Sequence, residues 1–239
     1  MDIFIYSRNS FPHSAGIASS ASALSSLALC ICSVEEQLKR DASDTLSFLK
    51  KASYMARLGS GSAARSVYGN FVEWGSDQEG SDDYAQPLTS RVDDNLEFLY
   101  DTILVASSSP KKVSSSRGHA LMDNHPYKKT RIAQARTNFN RLKEAIGEGD
   151  FEKFSEIIEN EALSLHALML SSNPGFILFS EASVKIIERV RAFRAETGAQ
   201  VTFTLDAGPN VHLLYNVKEK EHVRSFIDNQ IRDLCENGR

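Results

Sequence analysis

The sequence predicts an α+β protein in two parts, residues 1–95 and 96–239. Three observations carry that reading. A short apolar stretch, Ile3-Phe4-Ile5-Tyr6, runs through a loop of small residues into a helical segment. Further strand-type segments stand at Gly69–Trp74, Phe98–Ala106, Val201–Asp206 and Val211–Tyr215. The remaining long segments carry apolar residues near the 3.6-residue helical spacing.

In chain order, Ile3–Tyr6 reads as a strand that starts at the chain's first residues. Gly16–Val34 reads as a helix, with Ile17, Leu24, Leu27, Ala28 and Ile31 on one face. Asp44 caps a second helix that runs to about Arg57 and buries Leu46, Leu49, Ala52, Met55 and Ala56. The Gly59-Ser60-Gly61 turn opens a short helix through Arg65 and Ser66, and Gly75–Gln86 reads as an acidic surface loop. After the strand Phe98–Ala106, the Ser-rich loop 107–116 leads into a helix beginning near Ser115. Pro126 starts a helix to about Ile146, the Gly147–Asp150 break leads to another from Phe151 to Leu170, and Asn173-Pro174-Gly175 is a turn. Helix Glu181–Thr197 stops before Gly198, whose lack of a Cβ suits the left-handed C′ position. In Val201–Asp206, alternation puts Val201, Phe203 and Leu205 toward the core and Thr202, Thr204 and Asp206 the other way. Ala207–Asn210 reverses the chain into Val211–Tyr215, and a last helix spans Glu219–Cys235.

Composition narrows the function classes. With 239 residues, the chain can bury roughly 70–75% of its unfolded surface. Its 41% hydrophobic and 24% charged residues are those of a globular protein. A net charge of −4 argues against nucleic-acid binding and leaves anion binding to local clusters of cations and helix ends. The three cysteines, Cys30, Cys32 and Cys235, do not form a disulfide framework or a zinc site, and they read as reduced thiols of a cytoplasmic protein. Serines 25, 26 and 33 interrupt the best apolar run, so no membrane span is expected, and Asp2, Pro12 and His13 do not fit a signal peptide. No histidine pair has metal-ligand spacing with a carboxylate, so no protein metal site is expected.

Two stretches look ready for an anion. Around Gly16 the residues are small and hydroxylated (Ser14, Ala15, Gly16, Ala18, Ser19, Ser20), so a phosphate could approach unpaired N–H donors at a helix start. The same run also fits a tightly packed helix whose small residues let a neighbour approach. Arg57-Leu58-Gly59-Ser60-Gly61-Ser62-Ala63-Ala64-Arg65-Ser66 repeats the device and adds a guanidinium, which grips planar anions through two parallel hydrogen bonds. Neither stretch has the third glycine of a dinucleotide fingerprint or a Walker lysine.

The run P-H-S-A-G-I-A-S-S-A-S-A-L resembles the phosphate-binding loop of the GHMP small-molecule kinases, in the form used by diphosphomevalonate decarboxylases. R-L-G-S-G-S-A-A-R-S-V-Y-G-N-F-V-E-W and T-L-D-A-G-P-N-V-H-L-L-Y resemble signatures of that decarboxylase. The resemblance covers nearly the whole chain. It implies a GHMP-kinase-like fold, with a partial ribosomal protein S5 domain 2-like N-terminal part and a ferredoxin-like C-terminal sandwich. The family has a further leading region with a Lys-bearing I-K-Y-W-G-K type segment, so the chain is expected to be an N-terminally truncated form.

The resemblance also implies roles. Asp206 matches the catalytic aspartate that contacts the substrate's tertiary hydroxyl, although an acid at a strand end is by pattern alone a turn former. Arg65 matches the arginine that holds the substrate carboxylate, with Ser60, Gly61 and Ser62 at the diphosphate end; Ala64 stands where the family often has cysteine. Ser19 and Ser20 match phosphate-loop serines. Lys111, Lys112, Ser114 and Ser115 fall in a nucleotide and substrate phosphate region, in a loop that would otherwise read as linker. His13 is placed at the mouth of the site and the other histidines in packing or on the surface. The implied reaction converts diphosphomevalonate and ATP, with Mg²⁺, to isopentenyl diphosphate, ADP, phosphate and carbon dioxide. A homodimer is common among relatives. The rival readings are a related mevalonate-phosphate kinase or decarboxylase with another substrate, and a non-catalytic or split fragment that needs its leading segment in trans.

Overall fold

The computed structural model describes residues 4–11, 17–40, 43–75, 82–109 and 115–238. The architecture is α+β, in two compact units with bodies at Ala18–Thr89 and Ser90–Arg239. No helix among the described residues is long and apolar enough to cross a membrane.

The first unit packs two helices, α1 (Ser19–Lys39) and α2 (Thr45–Gly59), against a 3₁₀ turn at Gly61–Val67. Its core is built from small residues: Ala21, Ala28, Cys32, Ala52, Ala56, Ala63 and Val67. The Ser/Ala-rich run therefore does pack closely, through the stripe Ala21, Ser25, Ala28 and Cys32, one residue per helical turn. Asp44 accepts hydrogen bonds from the Leu46 and Ser47 N–H groups and so satisfies two donors at the start of α2. Buried Ser53 ties the elements together, donating to the Ala64 carbonyl at 2.9 Å and accepting from the Ala85 N–H at 2.8 Å. A two-residue ribbon, β1 (Val72–Glu73) with β2 (Gln86–Pro87), completes the unit.

Several expectations change here. Phe4–Tyr6 is in no strand and Tyr6 is 93% exposed, because the segment has no ladder partner among the described residues. The first helix begins at Ser19, after Ala18 in the left-handed region, and runs to Lys39. Leu46, expected on the buried face of α2, is 65% exposed. The strand expected at Gly69–Trp74 shrinks to Val72–Glu73, and Gln86, expected in the loop, pairs with Glu73.

The second unit opens with the short helix α3 (Asp94–Glu97) and holds an antiparallel sheet in the order β3 (Leu99–Leu104), β5 (Val211–Asn216), β4 (Val201–Thr204). The helices are α4 (Ser115–Met122), α5 (Lys128–Glu148), α6 (Phe151–Ser171), α7 (Glu181–Thr197) and α8 (Lys220–Phe226). Phe203, Leu213, Val211 and Val201 of the sheet meet Ile186, Val190 and Phe193 of α7 and Val223 and Phe226 of α8 in one apolar core. Gly198 closes α7 with φ 69°, as the sequence predicts. Gly147 continues α5, and Gly149, also at φ 69°, makes the break instead.

Thr202 departs from simple alternation. It is fully buried, because its hydroxyl donates to Glu159 of α6 at 3.0 Å. Glu159 also receives Arg191 and Arg194 of α7, at 3.1 and 2.5 Å. The last helix is not uniform: after α8 the chain winds as a π segment at Ile227–Ile231 and a 3₁₀ segment at Arg232–Leu234. Arg189 of α7 donates to the Gln230 carbonyl and to Asp233, so a carbonyl in the loosened winding finds a cationic partner.

Candidate active site

In the first unit, α1 starts without a side-chain cap, because Ala18 at its N-cap has no acceptor. Ser19 is half-buried and Ser20 exposed. A helix start of this kind turns its first-turn N–H donors outward, along the positive end of the helix dipole. Leu24, one turn further on, sets α1 against the second loop: a Cβ at Gly59 would lie 2.9 Å from Leu24 Cδ1. The phosphate-type loop residues Ser14, Ala15 and Gly16, and His13 beside them, lie outside the described residues.

The Gly/Ser turn follows directly. Ser60 closes α2 through its N–H to the Ala56 carbonyl, and its hydroxyl meets that of Ser62 at 3.2 Å. Gly61 lies against the ring of Trp74. Arg65 is exposed, with its guanidinium carbon 5.8 Å from the Trp74 ring centroid. The structure thus sets Gly61 and Arg65 against one indole, with the paired hydroxyls of Ser60 and Ser62 on either side of Gly61 in the chain. Trp74 was not singled out from the sequence as part of this cluster, and its place in the G-N-F-V-E-W run was the available signal.

In the second unit, Asp206 is exposed just beyond β4, and the turn that carries it is locked from several sides. Its carbonyl accepts from the Gly208 N–H at 2.7 Å and from His166 Nε2 at 3.1 Å. Ser183 donates to the Pro209 carbonyl. Buried Asn210 is held in both directions, accepting from the Ser107 N–H and donating to the Ser107 carbonyl, each at 3.0 Å. Ser108, next in the Ser-rich loop, binds the Glu236 carboxylate, and those bonds hold its pKa below the ordinary range. Lys111, Lys112 and Ser114 lie outside the described residues; Ser115 begins α4 and its side chain is outside them too.

Two histidines flank this turn. Burial holds the His166 imidazole below the ordinary histidine range, although the Asp206 carbonyl and carboxylate pull the other way. For His212, burial also opposes the charge, but a 3.0 Å contact to the Asp101 carboxylate, with Asp206 adding, raises the pKa overall. The residues missed by sequence reasoning are those that lock the turn: His166, Ser183 and the side chain of Asn210. Among the described residues no cluster of His, Cys, Asp and Glu could hold a metal ion. A cavity of about 760 Å³ lined by Glu159, Arg191, Arg194 and Gln200 does not include Asp206 and is separate from this turn.

Known proteins resemble this chain along most of its length. Residues 1–85 match the diphosphomevalonate decarboxylase-like N-terminal domain, and residues 102–237 match the mevalonate 5-diphosphate decarboxylase C-terminal domain. The structure superposes on a mevalonate diphosphate decarboxylase from Legionella pneumophila with TM-score 0.81 at 28% identity, over 95% of this chain and 68% of that one. It also superposes on MDDEF in complex with MVAPP, AMPPCP and magnesium, with TM-score 0.78 at 30% identity, over 94% of this chain and 65% of that one. These likenesses define the class as a GHMP-type mixed fold of helices and sheet. The diphosphomevalonate decarboxylase of Candida albicans is 33% identical over 95% of this chain and 61% of its own length. The phosphomevalonate decarboxylase of Haloferax volcanii is 29% identical over 91% of this chain and 62% of its own length. The chain belongs to the diphosphomevalonate decarboxylase family. It spans less than two thirds of the length of these two relatives.

Proposed function

We propose that the chain carries out the ATP-dependent decarboxylation of (R)-5-diphosphomevalonate to isopentenyl diphosphate, in the cytoplasm, as a step of isoprenoid synthesis by the mevalonate route. The observation that carries this reading is the exposed Asp206 carboxylate on a turn immobilised by His166, Ser183 and Asn210. A carboxylate held this way can orient and deprotonate one hydroxyl without first reorganising.

In the proposed reaction, Asp206 takes the proton of the substrate's tertiary hydroxyl as that oxygen attacks the γ-phosphorus of ATP, and ADP leaves. The new phosphate then departs with the C–O electrons. The electrons of the bond to the carboxylate form the carbon–carbon double bond, and carbon dioxide is released. Arg65 holds that carboxylate, while Ser60, Gly61 and Ser62 receive the diphosphate. The start of α1, from Ser14, Ala15 and Gly16 through Ala18, Ser19 and Ser20, takes the ATP phosphates, with Lys111, Lys112, Ser114 and Ser115 adding donors. The donor-rich start of α1 and the Ser60–Ser62 turn suit phosphate oxygens, through which Mg²⁺ would be held. Bound there it would neutralise charge on the transferring group. Residues 1–95 and 96–239 are proposed as the two domains, and a homodimer as the assembly.

The test is release of ADP and carbon dioxide by the purified chain, alone and with the leading segment of a longer relative added in trans. Asp206→Asn is expected to lower turnover about 10²–10⁴-fold while diphosphomevalonate still binds. Unchanged turnover in that variant removes the assignment. The Haloferax volcanii relative favours a second reading, in which the substrate is the monophosphate. Assaying both mevalonate phosphates separates the two.

A further inference from the structure

We propose that His166 is the positioning residue for Asp206: a neutral imidazole that clamps the aspartate's main-chain carbonyl from α6 and so aims its carboxylate. The inference rests on the reading of Asp206 as the reacting carboxylate.

His166 Nε2 lies 3.1 Å from the Asp206 carbonyl oxygen. A carbonyl only accepts, so the proton must sit on Nε2. The ring is 1% exposed and stacks on Phe179, with centroids 3.9 Å apart and planes 17° apart. Its other nitrogen, Nδ1, is buried with no hydrogen-bond partner among the described residues. A proton on Nδ1 would be an orphan donor inside the fold, so both the Nδ1–H tautomer and the imidazolium are disfavoured. One protonation state of one buried ring therefore remains, and it points its single donor at the residue that carries the chemistry.

The clamp acts just past the end of the strand. β4 ends at Thr204, and Asp206 stands before Ala207 and Gly208, outside the ladder. Two donors on the Asp206 carbonyl, His166 Nε2 and the Gly208 N–H, fix the plane of the peptide that follows it. With the chain before it held in the β4 ladder up to Thr204, fixing that plane restricts ψ of Asp206 and so narrows the directions its Cα–Cβ bond can take. Small misplacements of a reacting group cost about 10²-fold in rate.

Two substitutions separate the donor from the packing. His166→Phe keeps a ring against Phe179 and removes the donor; His166→Gln restores a donor where Nε2 stood. With diphosphomevalonate and ATP, His166→Phe is expected to lower kcat about 10–100-fold with KM within about twofold, and His166→Gln to recover most of it. Wild-type kcat in His166→Phe, or an equal loss in both variants at equal melting temperature, overturns the proposal. A second readout needs no turnover. Long-range ¹H–¹⁵N spectra of the wild-type chain near neutral pH are expected to show His166 as the Nε2–H tautomer, and an Nδ1–H tautomer or an imidazolium overturns the clamp. The Asp206 and Gly208 amide resonances should move in His166→Phe and stay near wild type in His166→Gln. If the wild-type chain turns nothing over, the proposed reaction fails, while the spectra still decide the clamp.

Discussion

At Gly61 a methyl group would sit 2.8 Å from the ring of Trp74, closer than packed side chains approach. The glycine is needed for contact rather than for an unusual dihedral. The same ring lies under Arg65, so a shift of the indole would be felt by the guanidinium. Gly61→Ala is expected to cost about 1–3 kcal/mol, the range for overpacking a tight contact. The chain has one tryptophan, so its emission reports this site directly. Unchanged emission with an unchanged urea midpoint would show that the contact is not tight. Ser53 illustrates the opposite economy: one buried hydroxyl joins the Ala64 carbonyl and the Ala85 N–H, residues with no sequence pattern linking them.

Among the elements, the helix ends are most readable, because caps act within three or four residues. Asp44, Asp150 and Ser180 each accept from the first turn that follows, and Gly198 ends α7. Asp44→Ala is expected to destabilise the chain by about 0.5–2 kcal/mol, read from urea denaturation, and no loss would mean that water replaces the cap without penalty. α6 shows what capping rules miss. Glu159 grips Thr202 within β4, and His166, two helical turns on, grips Asp206 beyond its end. Seven residues of helix rise about 10 Å and four of strand about 13 Å, so the spacings nearly match. The helix thereby fixes both the strand and the turn after it. Nothing in the periodicity of either segment announces this pairing.

Taken whole, the molecule has two cores of different character: small side chains in the first unit, and large ones such as Phe203, Ile186 and Leu213 in the second. Two histidines give the second unit an internal pH dependence. His212 has a raised pKa in the folded state, so its contribution is complete below the ordinary histidine value and is lost as pH rises through the folded value. His166 has a lowered pKa, so its contribution is complete above the ordinary value and declines as pH falls toward the folded one. Together they place a stability maximum near the ordinary histidine pKa, about 6.5. Melting temperature against pH should flatten on the alkaline side in His212→Gln and on the acid side in His166→Phe. A profile unaltered by either substitution would rule this out.

The sequence by itself determined the family, through three separated motifs, and the helix ends at Asp44 and Gly198, through a cap and a glycine whose partners lie within a turn. It also pointed to Asp206, Arg65 and the Ser60–Ser62 turn as candidates. Only the tertiary structure decided what holds them: His166 meets Asp206 across 40 residues and Asn210 meets Ser107 across 103. It also decided that Thr202 is buried on a partner and that the last helix loosens at Ile227–Ile231. Local rules see hydrogen bonds and spacings along the chain. The bonds that lock the Asp206 turn run between elements brought side by side by packing of a common core, and a pattern along the chain carries no record of them.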